Sequence, residues 1–246
     1  MKFVDLSIFL ENNSIGNPNG STPSIAYARH HDAYDWAEET SEMGTHDGTH
    51  MDAPWHFYPT MDADLHGGQG VPSTHINEFP PEYGYGDLVV FDFSHMPDGH
   101  LILSDDFKYQ LLEMNYKLKE GDIVFIKCGA APYWGKDPTF WVHGVGVSRE
   151  ATVWLAEQGV HVVGTDGWSW DRPILFQVGE YSVTKNKDML WEGHRAGAKR
   201  AYYQIEKLTN LDKVPRLGAK VYCQPLKIKD ASAGYCRVVA VVPDDK

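Results

Sequence analysis

From residue 87 onward the chain alternates between apolar runs of strand length and stretches with helical spacing, and this alternation constrains the fold more than any other feature. Residues 87–93 (DLVVFDF) and 121–128 (GDIVFIKC) read as buried strands. Between them Ser104 precedes Asp105 and Asp106 and then Phe107, Leu111, Leu112 and Met114, which predicts a helix capped by Ser104. Ser148 caps a second helix, which runs through Val153, Trp154, Leu155 and Ala156 to Gly159, where a left-handed residue is expected. Residues 160–166 follow as a strand, and 220–228 and 237–242 read as closing strands. The expectation is an α/β fold, a mixed β-sheet with flanking helices, in a single domain over residues 1–246.

The first third has a different texture. Residues 11–85 are rich in Gly, Pro, Asn, His and aromatics without a sustained period, which predicts long loops and short strands. Ordered loops of this length often carry function. The formal charge of −12 and the scattered basic residues disfavour a nucleic-acid or anionic-membrane partner. Cys128, Cys223 and Cys236 show no CxxC spacing, and an odd count fits a reducing compartment. The first residues, MKFVDLS, lack the apolar core of a secretory signal, and no apolar run approaches the roughly 18 residues of a membrane span. A cytoplasmic protein is therefore expected.

The chemistry concentrates in one run, His46-Asp47-Gly48-Thr49-His50-Met51-Asp52-Ala53-Pro54-Trp55-His56. His46, His50, Asp52 and His56 all fall on even positions, so an extended chain points them to one face. Fully extended, the run would reach about 33 Å, too far for one ion, so the chain must bend, and Gly48 and Pro54 are where it can. A helix would also bring His46 and His50 together, as in HExxH metalloproteases. Here the second residue is not Glu, and Gly48, Thr49, Asp52 and Pro54 are poor helix formers. Two imidazoles and a carboxylate within seven residues, with no thiol offered, suit a borderline or hard ion such as Zn²⁺ or Mn²⁺. His66, His75, His95, His100, His143 and His161 lack such spacing and read as ordinary hydrogen-bonding histidines; His30-His31 have no matched carboxylate beyond Asp32 and Asp35.

The run matches His-x-Gly-Thr-His-x-Asp-x-Pro-x-His and so resembles the signature of the cyclase-like metal hydrolases, a family that includes kynurenine formamidases and isatin hydrolases. The resemblance extends to Val4-Asp5-Leu6-Ser7 as an opening strand and to residues 148–166 as a helix-strand unit. Residues 165–171 and 191–194 look closer to the isatin-hydrolase branch. It implies a swivelling β/β/α fold. His46, His50 and Asp52 would hold a first metal, Mn²⁺ or Zn²⁺. His194 and Glu206, twelve residues apart, would complete a second site or contact substrate. On one helix twelve residues span about 18 Å, so the chain must reverse between His194 and Glu206, and residues 202–208 read as the returning strand. The family's x after the first His is usually small or hydroxylic; Asp47 here is expected to face solvent.

The implied activity is metal-assisted hydrolysis of an amide, such as the cyclic amide of isatin. N-formylkynurenine and a lactone or carbamate are alternative substrates, and a metal-containing binder of an aromatic metabolite is the non-catalytic alternative. His56, after Pro54, is expected close to the metal but off it, passing a proton from water to the leaving nitrogen. Trp55 is the expected substrate-binding aromatic, with Phe57, Trp168 and Trp170 as further candidates for a flat apolar slot. The resemblance also implies a homo-oligomer, a dimer or tetramer.

Overall fold

A computed structural model describes residues 1–12, 22–134 and 138–244; residues 13–21 of the predicted loop-rich stretch lie outside these. The strands of three or more residues are β1 (Lys2–Asp5), β2 (Ser24–Arg29), β3 (Glu38–Glu42), β4 (His50–Asp52), β5 (Tyr85–Asp92), β6 (Ile123–Lys127), β7 (Val162–Thr165), β8 (Tyr203–Glu206), β9 (Ala219–Tyr222), β10 (Ala233–Tyr235) and β11 (Val239–Val242). Nine of them form one mixed sheet in the order β1-β11-β9-β5-β6-β7-β8-β4-β10. Its centre, β5 to β8, is parallel, and the flanks are antiparallel. Five α-helices among the described residues accompany it: α1 (Pro54–Phe57), α2 (Ser104–Glu113), α3 (Arg149–Glu157), α4 (Ile174–Thr184) and α5 (Glu192–Ala196). The α/β fold with a mixed sheet and flanking helices is as the sequence predicts. No helix among the described residues is long and apolar enough to cross a membrane.

The central strands are apolar on both faces because both faces are covered. Leu88 and Val90 of β5 enter one cluster with Ile123, Phe125, Met51 and Ile205. Val89 and Phe91 enter the other, with Val124, Ile126, Phe107 of α2 and Leu155 of α3. This alternation assigns Met51 to the first cluster and turns its neighbours His50 and Asp52 to the opposite face. All three cysteines are buried and free.

The boundaries differ in instructive places. Ser148 caps α3 as predicted, its Oγ accepting from Ala151 N at 3.1 Å, and Gly159 is left-handed at φ 86°. Ser104 is not the cap of α2. Leu103 holds that position, and the Asp106 carboxylate, one turn in, accepts its N–H at 2.8 Å. Ser104 instead donates to Glu150 of α3. The strand predicted at 220–228 keeps a regular ladder only to Tyr222; beyond it Pro225, which has no N–H for a ladder, makes an isolated bridge to Cys236.

Candidate active site

The predicted bend lies at both glycine and proline. Gly48 takes φ 61°, a left-handed conformation, and leads into β4; Pro54 opens the single turn of α1 that carries His56. A Cβ at Gly48 would stand 2.3 Å from Leu10 Cδ2. Gly48→Ala is therefore expected to cost about 1–2 kcal/mol from handedness alone, more once Leu10 is displaced. Thermal unfolding reads that loss.

Cross-strand register builds the rest of the site. β4 pairs antiparallel with β8 so that Asp52 lies opposite Gln204 and His50 opposite Glu206. Direct partners across a ladder project to one face, so these four polar side chains converge, nearly all fully buried. Sequence spacing could not reveal Gln204, because its place depends on pairing with a strand about 150 positions away. Its Nε2 donates to Asp52 Oδ2 at 3.1 Å and to Glu206 Oε1 at 2.8 Å, and lies 3.2 Å from His194 Nε2.

Asp52 is the shared vertex of two ligand groups. His46, Asp52 and His56 each bring one ligand atom within 4.8 Å of the others, and so do His50, Asp52 and Glu206. The trio His46, His50 and Asp52 is thus spread over two overlapping groups, and His56 stands nearer Asp52 than expected. His194 belongs to neither. The chain does reverse between His194 and Glu206, since α5 ends at Ala196 and β8 returns to the site.

The residues fit a cation. His50 Nδ1 contacts the Gly48 carbonyl at 2.9 Å, which fixes the proton there and leaves Nε2 as a bare lone pair. That lone pair faces Asp52 Oδ1 at 3.2 Å, and both atoms are buried without a hydrogen bond. His46 Nδ1 also approaches Asp52 Oδ1, at 2.8 Å. Buried acceptors aimed at one another call for a positive centre between them. Burial works to raise the Asp52 pKa, but the surrounding His56, His46 and His50 hold it well below the usual carboxylate range.

Two imidazoles flank this cluster in opposite electrostatic states. His56 keeps an open edge at the cavity, yet desolvation of its ring, with further lowering by His194, His46 and His50, pushes its pKa down to about 3 against the pull of Asp52. His194 is buried, which works to lower its pKa, but Asp171 outweighs burial and raises it. The Asp171 carboxylate holds His194 Nδ1 at 2.5 Å and accepts the N–H groups of Gly193 and His194 at 2.7 and 3.1 Å, fixing the ring at the start of α5. The His56 and His194 rings lie 5.3 Å apart.

They open onto a cavity of about 510 Å³. Phe57, Tyr58, Trp168, Ile174 and Trp191 give it apolar walls, and Arg195, Glu206 and Lys207 add charge. Lys207 is a further residue that spacing did not flag. It is buried at φ 60°, and its Nζ lies 3.2 Å from the His46 carbonyl and 3.4 Å from Glu206 Oε2. It ties the first histidine's backbone to the last carboxylate.

Trp55 is not among the lining residues; its half-exposed ring packs on His75 at 4.8 Å between centroids, because the one turn of α1 points it away from His56. Trp170 is core, its indole N–H donating to Thr152 at 2.9 Å. Asp47 is buried rather than solvent-facing, its carboxylate accepting Gly44 N–H at 2.8 Å. His30 and His31 lie on the exposed turn between β2 and β3.

A match to the family described as putative cyclase covers residues 4–172 and contains the whole His46–His56 run. The chain belongs to the putative cyclase family. This cyclase-like chain is 26% identical over 199 residues to a kynurenine formamidase of Erythrobacter litoralis (strain HTCC2594), covering 80% of this chain and 73% of that protein. Among solved structures, an isatin hydrolase bound to the product analogue thioisatinate superposes with a TM-score of 0.81 at 20% identity, covering 99% of this chain and 93% of that one. Isatin hydrolase A from Ralstonia solanacearum gives 0.78 at 26% identity, with 98% and 92% covered. The mixed-sheet α/β fold with flanking helices is the fold of these isatin hydrolase structures. His194 and Glu206 lie beyond the matched residues 4–172.

Proposed function

We propose that this cyclase-like protein hydrolyses an amide bond in a small aromatic substrate, with ring-opening of a cyclic amide of the isatin type as the preferred reaction. The observation that carries this reading is geometric: a cluster of cation ligands around Asp52 opens, past the His56 and His194 rings 5.3 Å apart, onto a cavity with aromatic walls. His46, His50, Asp52 and Glu206 would hold the divalent ion, Mn²⁺ or Zn²⁺, which when bound supplies Lewis-acid polarisation of the carbonyl and an acidified water.

The chain's own groups supply the remainder. His56 is neutral at physiological pH and accepts the proton of the attacking water, then delivers it to the leaving nitrogen as the C–N bond breaks. His194, held by Asp171, retains its proton towards higher pH and donates to the substrate's carbonyl oxygen. Phe57, Trp168 and Trp191 enclose a flat ring. Trp55, placed outside the cavity, is not assigned a role in binding.

Rates on isatin and on N-formylkynurenine, measured side by side with metal-replete enzyme, test the substrate. A higher kcat/KM on isatin is expected; a strong preference for the formamide would reassign the protein to formamidase chemistry. Binding of either compound without product, followed by mass spectrometry, would make it a binder.

The two shifts set the pH profile. A raised His194 pKa means the donor form persists above the ordinary imidazole range and is lost as pH rises through it, giving an alkaline limb. A depressed His56 pKa means the acceptor form survives acidification, so His56 contributes no acidic limb near pH 6. Asp171→Asn removes the raising partner and should move the alkaline limb to lower pH in kcat/KM profiles.

A further inference from the structure

The first histidine of the His46–His56 run is held from near the other end of the chain. Ser232 lies just before β10, and its Oγ stands 2.9 Å from His46 Nε2 across 186 positions of sequence. The other ring nitrogen, Nδ1, faces Asp52 Oδ1 at 2.8 Å. His50 is turned the opposite way, with Nδ1 on the Gly48 carbonyl at 2.9 Å and Nε2 towards Asp52 at 3.2 Å.

Packing alone does not choose which edge of the His46 ring meets Asp52. A half-turn of the imidazole exchanges Nδ1 with Cδ2 and Nε2 with Cε1 while keeping nearly the same shape. The ring contacts with His56 and His50, at 4.2 and 5.1 Å between centroids, would survive it. The hydrogen bond to Ser232 would not.

We propose that Ser232 is the positioning residue that commits His46 to the ion through Nδ1. The role rests on the divalent ion of the proposed function. A hydroxyl can donate or accept, so it serves His46 in either tautomer. When Nδ1 gives its lone pair to an ion, the ring proton is on Nε2 and is donated to Ser232 Oγ. When Nδ1 donates to Asp52 instead, the hydroxyl donates to Nε2. His50 lacks this latitude, because the Gly48 carbonyl only accepts. The Ser232 backbone is fixed independently of its side chain: its carbonyl accepts the Ala53 N–H at 2.9 Å, and Ala233 pairs with Asp52 across the β4–β10 ladder. Removal of Oγ therefore frees the imidazole and leaves the strand in place.

Zn²⁺ affinity of the full chain, measured against a chromogenic chelator, should fall about 10–100-fold in Ser232→Ala, the usual cost of losing a group that orients a metal ligand. Ser232→Thr keeps the hydroxyl and should recover most of that loss, and the metal-free Ser232→Ala protein should melt as the parent does. In ¹⁵N-histidine parent protein loaded with ¹¹³Cd²⁺, the metal should couple to Nδ1 of His46 and to Nε2 of His50. Coupling through His46 Nε2, equal Zn²⁺ affinity in the parent and Ser232→Ala, or an affinity loss matched by a lower metal-free melting temperature would each overturn the role of Ser232 alone. A parent chain that binds no divalent ion would overturn it together with the metal-dependent reading.

Discussion

Asp52→Asn should lose bound metal and, with it, turnover. The substitution keeps the shape of the side chain and removes the charge that both ligand groups share. Each group without Asp52 is left with two members, and the His50 Nε2 lone pair faces an amide in place of a carboxylate. Metal content by elemental analysis should fall well below that of the parent protein. Lewis-acid assistance worth several kcal/mol corresponds to about three orders of magnitude in kcat/KM. Retention of full metal with unchanged kinetics would show that Asp52 is a structural buried acid. Folding can be followed separately, since Met51 and Ala53 on either side of it belong to the core cluster and are untouched.

The second large effect separates proton transfer from metal binding. His56→Ala should leave bound metal close to the parent level while lowering kcat by about 10²–10⁴, the usual range for general acid–base assistance. His56 sits on α1, outside the β4–β8 ladder that places His50, Asp52 and Glu206, and its open edge means truncation leaves no sealed void. If metal were lost together with activity, His56 would be a ligand with His46 and Asp52, which the grouping of those three allows. If activity survived, the proton would have to travel by another group, and His194 would be the next to replace.

The part of the site readable beforehand is the part encoded locally. The even spacing of His50 and Asp52 is a strand's own period, and Gly48 and Pro54 announce the bends on either side. Ser148 and Gly159 delimit α3 by chemistry internal to the helix. What stayed hidden depends on distant pairing or on inversion of ordinary rules. Gln204 enters only through its register with Asp52, and Lys207 through a left-handed turn that buries a charged residue. Asp47 looked like a surface acid and proved to be a buried acceptor for Gly44. Trp55 was misplaced by the short helix that begins one residue earlier, and Leu175, Val178 and Val183 of α4 stand exposed although apolar.

The β4–β8 register has a consequence for how the protein can evolve. A slip of one residue would send Met51 towards the cavity and carry His50 and Asp52 into an apolar layer. The oily residues and the ligands are interleaved on the same short strand, so any change tolerated by one set is inspected by the other. Core and catalytic equipment are inherited as one unit: an insertion within β4 would disable both together, whereas the exposed turn between β2 and β3 can lengthen without touching either.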